Sequence, residues 1–378
     1  MQVLNFHHLK EGLTEEHLYI GRGSPFGNPF PKAIFRKDRQ FAVEAHKLYF
    51  LSQLANSSKM TKELWLNAKD MVCYCKPKSC HGDIYLEFLS LKEEAQGDYK
   101  VARKKFLETH DYVFLPDRDG KDHINIYSNS RTRLGYLCSN FAFTPFNHPV
   151  FGFFASMEAY WFYVGTGCKH DYLRELHGFN AKKAGSSIPK VMRDDFAELI
   201  QEGIKCKVEQ TPELKELLTT NHLPFKHYYV YGKDGDYKCV KEGEGLLEKT
   251  YAEISLSLGE TYKLLIAGSR DYCNISEIFN TIAESGIRIS EIVEGGAVGV
   301  DLVGFYYGKL HGYPVRTFSV TKEDWEKSRG AGMQRNIEMG DYTDKGIIFI
   351  KNNSKGSTHM AEYLKKLGKE PIVKHYTN

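Results

Sequence analysis

One carboxylate lies in an unusually aromatic segment. Glu158 falls within residues 153–163, FFASMEAYWFY. Ser156 precedes this apolar run and is a typical helix N-cap, which would place Glu158 in the first helical turn. A carboxyl group surrounded by aromatic surface has a raised pKa unless it is paired, as a general acid or base requires. The alternative is a solvent-exposed glutamate that only stabilises the end of the helix.

Three glycine-containing loops lie further along the chain, at residues 264–270 (LLIAGSR), 294–301 (EGGAVGVD) and 355–358 (KGST). Each follows an apolar run and precedes a helical pattern. In a parallel α/β sheet such loops meet at the carboxyl edge and direct backbone N–H groups at a phosphate. We expect the N–H groups after Glu294 to be free, arginines to bind phosphate and Asp301 to bind a ribose hydroxyl. The predicted nucleotide-binding residues are Gly268, Ser269, Arg270, Gly295, Gly296, Asp301, Arg335, Asn336, Ser357 and Thr358.

A cluster of cysteines and one histidine occupies residues 73–81, CYCKPKSCH. These are zinc-binding residue types, but we expect Cys73 and Cys75 to point to opposite faces of a predicted strand. We therefore predict no metal, and no other cofactor, for this protein. The alternative is a pocket at a strand-to-helix turn, where the helix N-terminus binds an anion or lowers a thiol pKa. Its predicted residues are Cys80, His81 and Asp83, with Arg22 and Asn28 from the loop GRGSPFGNPF at 21–30.

That loop has a second interpretation. Three glycines and two prolines in ten residues exclude regular structure. The backbone could present N–H groups to an anion beside Arg22, or the loop could be only a rigid structural turn.

Composition sets broad limits on the class of protein. The 378 residues are 42% hydrophobic and 26% charged, which fits two or three globular domains. No run of about 18 apolar residues is present, so we expect no membrane span, and the first residues do not resemble a secretory signal. Eight scattered cysteines then favour free thiols in a reducing cytoplasm. A net charge of +3 is too small to indicate a nucleic-acid partner.

Hydrophobic periodicity predicts an α/β multidomain chain. Residues 1–92 are expected to form a small α/β unit, and residues 93–110 a linker or exposed helix. Residues 111–258 are expected to form a mostly helical α+β unit. Residues 262–378 alternate apolar strands with helices, which predicts a Rossmann-like parallel sheet with helices on both faces. The short connection near residue 259 predicts that the last two units pack together.

The middle unit resembles the NADAR family. The similarity lies in the sequence SNF at 139–141, the Ser-x-Glu-x-Tyr pattern at 156–160 and AKKAG at 181–185. It implies a compact, mostly helical N-glycosidase acting on riboflavin-pathway intermediates or ADP-ribosylated guanine, with Glu158 as the catalytic glutamate. The resemblance also implies a pocket formed by Asn140, Phe141, Tyr160, Trp161 and Lys182. Ala159 stands where the family usually has histidine.

The C-terminal unit resembles the SLOG superfamily, which includes DprA-like and LOG-like proteins. The matching motifs are GSR at 268–270, GGAVGVD at 295–301, a Trp-to-Asn segment at 325–336, and residues 354–360. The resemblance implies recognition of a nucleotide or an ADP-ribose derivative. The PGGxGTxxE motif of the hydrolytic members is absent, so hydrolysis is not expected in this unit.

The first unit is similar to a small uncharacterised domain family of bacteria and phages, through the loop at 21–30 and the cysteine motif at 73–83. That family brings no established activity. The resemblance therefore supports a domain boundary and leaves the role of the unit open.

Together these patterns predict an N-glycosidase acting on an NAD-related, ADP-ribose-related or other nucleotide derivative. Glu158 would orient or deprotonate the attacking water. The main alternative is a protein that binds or sequesters a nucleotide signal without turnover, as in conflicts between phages and bacteria. A nucleic-acid-binding module is the third alternative, but the chain lacks a concentrated basic patch. A homo-oligomer formed through the C-terminal unit is a further expectation.

Overall fold

The computed structural model describes residues 1–30, 38–111, 113, 115–191, 193–231, 236–239 and 245–377. Over these residues the chain is a mixed α/β protein with parallel sheets, as predicted. Three helices are short 3₁₀ turns, at Phe6–His8, Leu115–Arg118 and Asp171–Leu173.

The first part of the chain builds a three-stranded parallel sheet in the order β1-β3-β2. Asp38, Ser58 and Asp98 cap three of its helices by accepting hydrogen bonds from first-turn N–H groups. The elements are β1 (Val3–Asn5), β2 (His17–Tyr19), α1 (Arg39–Ala55), α2 (Lys59–Leu66), β3 (Asp70–Cys73), α3 (Gly82–Ser90) and α4 (Tyr99–Thr109).

The last of these helices, α4, lies in the segment predicted as a linker or exposed helix. Its buried face contributes Phe106, whose ring lies 6.2 Å from Phe50 and 5.3 Å from Phe88. Trp65 Nε1 also donates to the carbonyl of Gly97, at 3.2 Å. The first hydrophobic core therefore extends past residue 92 and includes α4.

The middle part is mostly helical around one core, which includes Tyr160, Leu214 and Tyr251. Its strands form only two-stranded pairs, β4 with β7, β5 with β6, and β8 with β9. The elements are β4 (Ile124–Asn125), α5 (Arg133–Cys138), β5 (Phe146–His148), β6 (Gly152–Phe154), α6 (Met157–Gly165), α7 (Gly178–Ser186), α8 (Phe196–Gln210), α9 (Pro212–Thr220), β7 (Phe225–Lys226), β8 (Tyr228–Tyr231), β9 (Asp236–Cys239) and α10 (Leu246–Leu258).

The C-terminal part contains a five-stranded, fully parallel sheet. Its elements are β10 (Tyr262–Gly268), α11 (Ile275–Glu284), β11 (Ile289–Glu294), α12 (Val300–His311), β12 (Val315–Thr317), α13 (Lys322–Lys327), α14 (Ala331–Tyr342), β13 (Lys345–Lys351), α15 (Lys355–Lys366) and β14 (Ile372–Tyr376). The strand order is β12-β11-β10-β13-β14.

Alternating residues of β10 explain how this sheet is covered. Leu264 and Ile266 pack with residues of α11 and α12, whereas Leu265 and Ala267 pack with residues of α14 and α15. Successive side chains of a strand point to opposite faces. Helices therefore lie on both faces of the sheet.

The three parts of the chain contact one another. The Phe41 ring of α1 lies 5.7 Å from the Tyr306 ring of α12. Arg288 donates hydrogen bonds to the carbonyls of Asn221, at 3.0 Å, and Glu260, at 3.2 Å. The middle and C-terminal units thus pack together, as the short connection predicted.

In the part of the chain that the structure describes, no helix combines the length and the apolar character needed to cross a bilayer.

Candidate functional site

The first turn of α6 holds Glu158 in place. Ser156 is the N-cap, as predicted, and its Oγ accepts a hydrogen bond from Ala159 N at 3.2 Å. The same hydroxyl donates to the carbonyl of Leu176 at 3.1 Å. Glu158 N donates to the carbonyl of Asn140 at 2.8 Å, so the turn is tied to the segment that precedes β5.

A cavity of about 230 Å³ opens at this turn. Three of the predicted pocket residues, Asn140, Phe141 and Lys182, line it together with the predicted catalytic residue Glu158. The other lining residues come from five separate stretches of the chain: Ile126, Tyr127, Ser128, Ser139, Phe179, His227, Tyr229 and Leu247.

Glu158 is buried in this cavity, with 8% of its surface exposed. Burial raises the pKa of its carboxyl group to about 7, and the charge of Lys182 and a hydrogen bond with the Asn140 side chain oppose the rise only in part. The exposed-glutamate alternative is therefore wrong. At neutral pH this carboxyl group is close to half protonated, so it can either accept or donate a proton.

Lys182 and Asn140 provide polar groups near Glu158 that can bind a ligand. Lys182 Nζ lies 5.7 Å from the centre of the Phe141 ring and 6.0 Å from that of Tyr229. Asn140 Oδ1 is buried and accepts no hydrogen bond in the described structure. An unpaired buried acceptor is costly, so it marks a position where a bound molecule could donate a hydrogen bond.

Tyr160 and Trp161 lie outside this cavity. Tyr160 is fully buried in the core, and its hydroxyl donates to the carbonyl of Leu199 at 3.0 Å. The Trp161 ring packs edge-on against Phe196 at 4.9 Å. Tyr160 follows Glu158 by two positions, which is about 200° around the helix, so its side chain points away from that of Glu158.

The sequence did not single out the aromatic wall opposite Glu158. The rings of Tyr127 and Tyr229 lie 5.5 Å apart, and His227 sits beside them with its pKa lowered to about 4 by burial. The only sequence signal was the aromatic run HYYVY at 227–231. Nothing in that run indicates that Tyr229 contacts Tyr127, which lies about 100 positions earlier in the sequence.

A second cleft, of about 450 Å³, lies at the carboxyl ends of β10 and β13. Six predicted nucleotide-binding residues line it: Gly268, Arg270, Asp301, Arg335, Asn336 and Ser357. Arg329, which was not predicted, also lines the cleft and adds a third guanidinium group. The helix α15 begins at this cleft, and Asn336 Nδ2 donates to the carbonyl of Gly356 in its first turn at 3.0 Å.

Asp301, which was predicted to bind a ribose hydroxyl, is hydrogen-bonded to the chain itself. It is 3% exposed, and its carboxylate accepts the N–H groups of Gly268 at 3.3 Å and Ala297 at 3.4 Å. Arg335 Nη1 lies 3.6 Å from the same carboxylate. Burial raises the pKa of Asp301 to about 6 despite this arginine. Asp301 therefore joins two loops of the sheet edge to each other.

The N–H groups after β11 are not free, contrary to the prediction. Gly296 N donates to Glu294 Oε2 at 2.7 Å, and Ala297 N donates to Asp301. The carboxylate of Glu294 is fully buried at the end of β11, where it also accepts from the Thr317 hydroxyl. The chain thus supplies its own anions at the positions assigned to phosphate.

The remaining predicted nucleotide-binding residues lie outside the cleft. Ser269 Oγ accepts from Lys351 N at 2.8 Å and donates to Lys351 O at 3.3 Å. The Gly295 carbonyl accepts from Arg335, and Thr358 Oγ1 donates to Ser354 O at 3.0 Å. These residues join neighbouring segments of the sheet edge.

In the first unit, Arg22 and Asn28 fix the loop at 21–30 to its surroundings. Asn28 Nδ2 donates to Ala42 O at 2.8 Å, while its Oδ1 accepts from Phe30 N at 2.9 Å. Arg22 donates to Phe30 O at 3.1 Å. These contacts favour the structural-turn interpretation of the loop.

Asp83 likewise stabilises a turn. Its Oδ2 accepts from Cys80 N at 3.0 Å, and its Oδ1 pairs with Lys76 Nζ at 2.6 Å. Its carboxylate therefore occupies the N-terminal end of α3, where we expected a bound anion.

The predicted separation of Cys73 and Cys75 is wrong. Side chains two positions apart in an extended chain lie on the same side, because the alternation has a period of two. The strand β3 ends at Cys73, Cys75 lies in the following turn, and the two Sγ atoms are 3.4 Å apart. The sulfur of Cys80 and a ring nitrogen of His81 join them, with all four ligand atoms within 4.8 Å of one another. The geometric argument against a metal is thereby removed, and these four residues could hold one.

Fold and sites together define a mixed α/β protein with parallel sheets, a buried carboxyl group in an aromatic cavity, and an arginine-lined cleft at a sheet edge. A family model described as a domain of unknown function (DUF4326) matches residues 4–91, which lie in the first unit. Neither the curated proteins nor the solved structures contain a match to this chain.

Proposed function

We propose that this protein is an N-glycosidase that hydrolyses the bond between a base and a ribose in an NAD-related or ADP-ribose-related nucleotide, in the cavity at Glu158. The observation that carries the proposal is the buried carboxyl group of Glu158. It has a pKa of about 7 and lies in a cavity with aromatic walls. A group with a pKa near the working pH is the most effective general acid or base.

The reaction needs one water molecule and one proton transfer. Water attacks the anomeric carbon as the C–N bond breaks, and the bonding electrons leave with the base. The Glu158 carboxylate accepts the proton of the water and stabilises the oxocarbenium-like transition state. Nicotinamide leaves NAD as a neutral base, so the proton on Glu158 then passes to the solvent, whereas a base that leaves as an anion takes up that proton. The products are a free base and a ribose hydroxyl, with no change in oxidation state.

The walls of the cavity suit such a substrate. The rings of Tyr127, Phe141 and Tyr229 offer faces on which a base can stack. Asn140 Oδ1 can accept a hydrogen bond from an amide or amino group of the base, since it has no donor in the described structure. The ammonium group of Lys182 can neutralise a phosphate or the departing base.

The test replaces Glu158 by glutamine, which keeps the shape of the side chain and removes the base. We expect the rate of base release from NAD or ADP-ribosylated guanosine to fall by about 10² to 10⁴-fold, with little change in affinity. Glu216→Gln is the matched control, because Glu216 is an exposed glutamate of α9 outside the cavity. Hydrolysis that persists at the wild-type rate in Glu158→Gln would remove this residue from the mechanism.

We further propose that the C-terminal unit is a Rossmann-like unit that binds the phosphates of a nucleotide. Its strand order changes direction between β10 and β13, and ligands of open parallel sheets bind at such a point. The exposed guanidinium groups of Arg270 and Arg329 line the cleft there, beside the start of α15. Arginine side chains and helix N-termini both favour phosphate.

Loss of one cleft arginine tests this binding. Arg270→Ala should weaken the binding of ADP-ribose, measured by calorimetry, by about tenfold or more. Lys366→Ala removes an equally exposed charge at the opposite end of α15 and should leave affinity unchanged. Equal affinities of the two variants would rule out Arg270 as a phosphate ligand.

The second candidate function is binding without turnover. One observation favours it: among the described residues that line the cavity, Glu158 is the only carboxyl group, whereas glycosidases commonly use a pair. The two functions differ in product formation. A wild-type protein that retains intact nucleotide after long incubation, and releases it unchanged on denaturation, is a binding protein.

A further inference from the structure

The sulfur and nitrogen atoms in the first unit are spaced as ligands of one metal ion. Cys73 Sγ lies 3.4 Å from Cys75 Sγ and 3.9 Å from His81 Nδ1, and Cys80 Sγ also lies 3.9 Å from that nitrogen. Tetrahedral zinc with Zn–S and Zn–N bonds of about 2.3 and 2.0 Å separates its ligand atoms by about 3.5 to 3.8 Å. These three separations lie within about 0.4 Å of that geometry, and all four ligand atoms lie within 4.8 Å of one another.

The hydrogen bond of His81 selects the nitrogen that faces the sulfurs. His81 Nε2 lies 2.8 Å from the carbonyl of Ile20, so it carries the proton and donates to that oxygen. Nδ1 is then left with a lone pair directed at the three cysteines. A ring N–H bound to a backbone carbonyl is the usual way in which a metal-binding histidine is oriented.

The rings around His81 hold its plane. The ring centres of His46 and Tyr85 lie 4.9 and 6.0 Å from that of His81, both in edge-on arrangements. His46 and Tyr85 are themselves fully buried. The imidazole is therefore packed in one orientation before any ion binds.

We propose that Cys73, Cys75, Cys80 and His81 bind one zinc ion, and that the site is structural. Three thiolates and one imidazole form a donor set that favours Zn²⁺ over Mg²⁺ or Ca²⁺, which prefer oxygen. Binding releases three thiol protons to the solvent and oxidises nothing. All four positions are filled by the protein, and three of the four residues are buried, so no open position remains for a substrate.

The ion would link three neighbouring segments of the first unit. It joins the end of β3, the turn that carries Cys75, and the start of α3, while His81 extends the link to the carbonyl of Ile20. That carbonyl directly precedes the glycine-rich loop at 21–30. We infer that zinc fixes this loop and the β3–α3 connection, and this inference is independent of the proposed glycosidase.

The experiment measures metal in the full-length protein, purified with reductant and without chelator. Elemental analysis should find about one zinc per chain. X-ray absorption at the zinc edge should show three sulfur ligands at about 2.3 Å and one nitrogen at about 2.0 Å. Cobalt exchanged for zinc should give thiolate-to-metal charge transfer and the intense d–d bands of tetrahedral coordination.

Substitutions of single residues test which side chains bind the ion. Cys80→Ser and His81→Ala should each lower the zinc content at least severalfold, whereas Cys206→Ser should keep it, because Cys206 lies on α8 in another unit. If one of the cluster variants fails to fold, the X-ray absorption and cobalt spectra of the wild type still show whether three sulfur atoms and one nitrogen bind the metal. Fully reduced wild type that contains less than about 0.1 zinc and binds no cobalt would overturn the proposal. So would a disulfide between Cys73 and Cys75 in the isolated protein, or a spectrum dominated by oxygen ligands.

Discussion

Replacing Glu158 by glutamine should change how the stability of α6 depends on pH. The folded-state pKa of Glu158 is about 7, raised from 4.5 mainly by burial. A carboxyl group with a raised pKa binds more protons in the folded state than in the unfolded state. Its contribution to stability is therefore fully present below pH 4.5 and is lost as the pH rises through 7.

The size of this loss follows from the shift. A shift from 4.5 to about 7 corresponds to about 3 kcal/mol in total, of which about 2 to 3 kcal/mol falls between pH 5 and pH 8. Glutamine does not titrate, so the Glu158→Gln variant lacks this pH dependence. Relative to the wild type, the variant should become more stable by about 2 to 3 kcal/mol when the pH is raised from 5 to 8.

Hydrogen exchange measured by mass spectrometry is the suitable assay, because a chain with several cores need not unfold in one step. Peptides from α6 are compared between wild type and variant at each pH, which cancels the intrinsic exchange rate. The ratio of protection factors should change by about 70-fold between the two pH values. Peptides from α3, in another core, serve as the internal control.

A protection ratio that is the same at pH 5 and pH 8 would contradict this reasoning. It would mean that Glu158 has an ordinary pKa in the folded protein. The proposed general base would then lose the property on which it depends, although the cavity and its aromatic walls would remain.

Two further predictions concern the packing of the other units. Asp301→Ala should weaken hydrogen-exchange protection of β10 by about 3 kcal/mol, because it removes an acceptor for two loops and the carboxylate beside Arg335. The control Asp271→Ala, at an exposed aspartate, should change this protection by less than about 0.5 kcal/mol. Equal effects of the two substitutions would contradict the role assigned to Asp301. Phe106→Ala should destabilise the first core by about 3 to 5 kcal/mol, measured by urea unfolding. The control Val101→Ala, on the exposed face of α4, should be nearly neutral. A Phe106→Ala variant as stable as the wild type would show that α4 is only a linker.

Local signals were sufficient for most elements of the C-terminal unit. Apolar, β-branched runs predicted its strands, and the structure places them at β10 to β14 in one parallel sheet. Ser156 was identified as a cap from its position before an apolar run, and it caps α6. These features depend on residues close in sequence, whose preferences act within one turn or one strand.

Residue roles at the sheet edge could not be predicted in the same way. The sequence identified Gly296 and Asp301 as ligand-binding residues, but Gly296 N–H binds Glu294 and the Asp301 carboxylate binds two backbone N–H groups. A glycine-rich loop that binds a phosphate and one that binds the chain's own carboxylate have the same local pattern. Only the distance between the groups in the folded chain distinguishes them.

The cysteine cluster shows an error of a different kind. The prediction placed Cys73 and Cys75 on opposite faces of a strand, although side chains two positions apart in a strand share a face. The strand ends at Cys73, and the turn that follows brings Cys75 back beside it.

The sequence by itself determined the composition of each site: a carboxylate among aromatic residues, arginines and glycines after apolar strands, and three thiols with one imidazole in nine residues. Tertiary structure decided which of these groups meet. The cavity at Glu158 brings Tyr127 and Tyr229 together from positions 102 residues apart, and the pKa of Glu158 is raised because burial in the folded chain removes its carboxyl group from water. Burial and proximity depend on the whole fold, and local sequence preferences do not encode them.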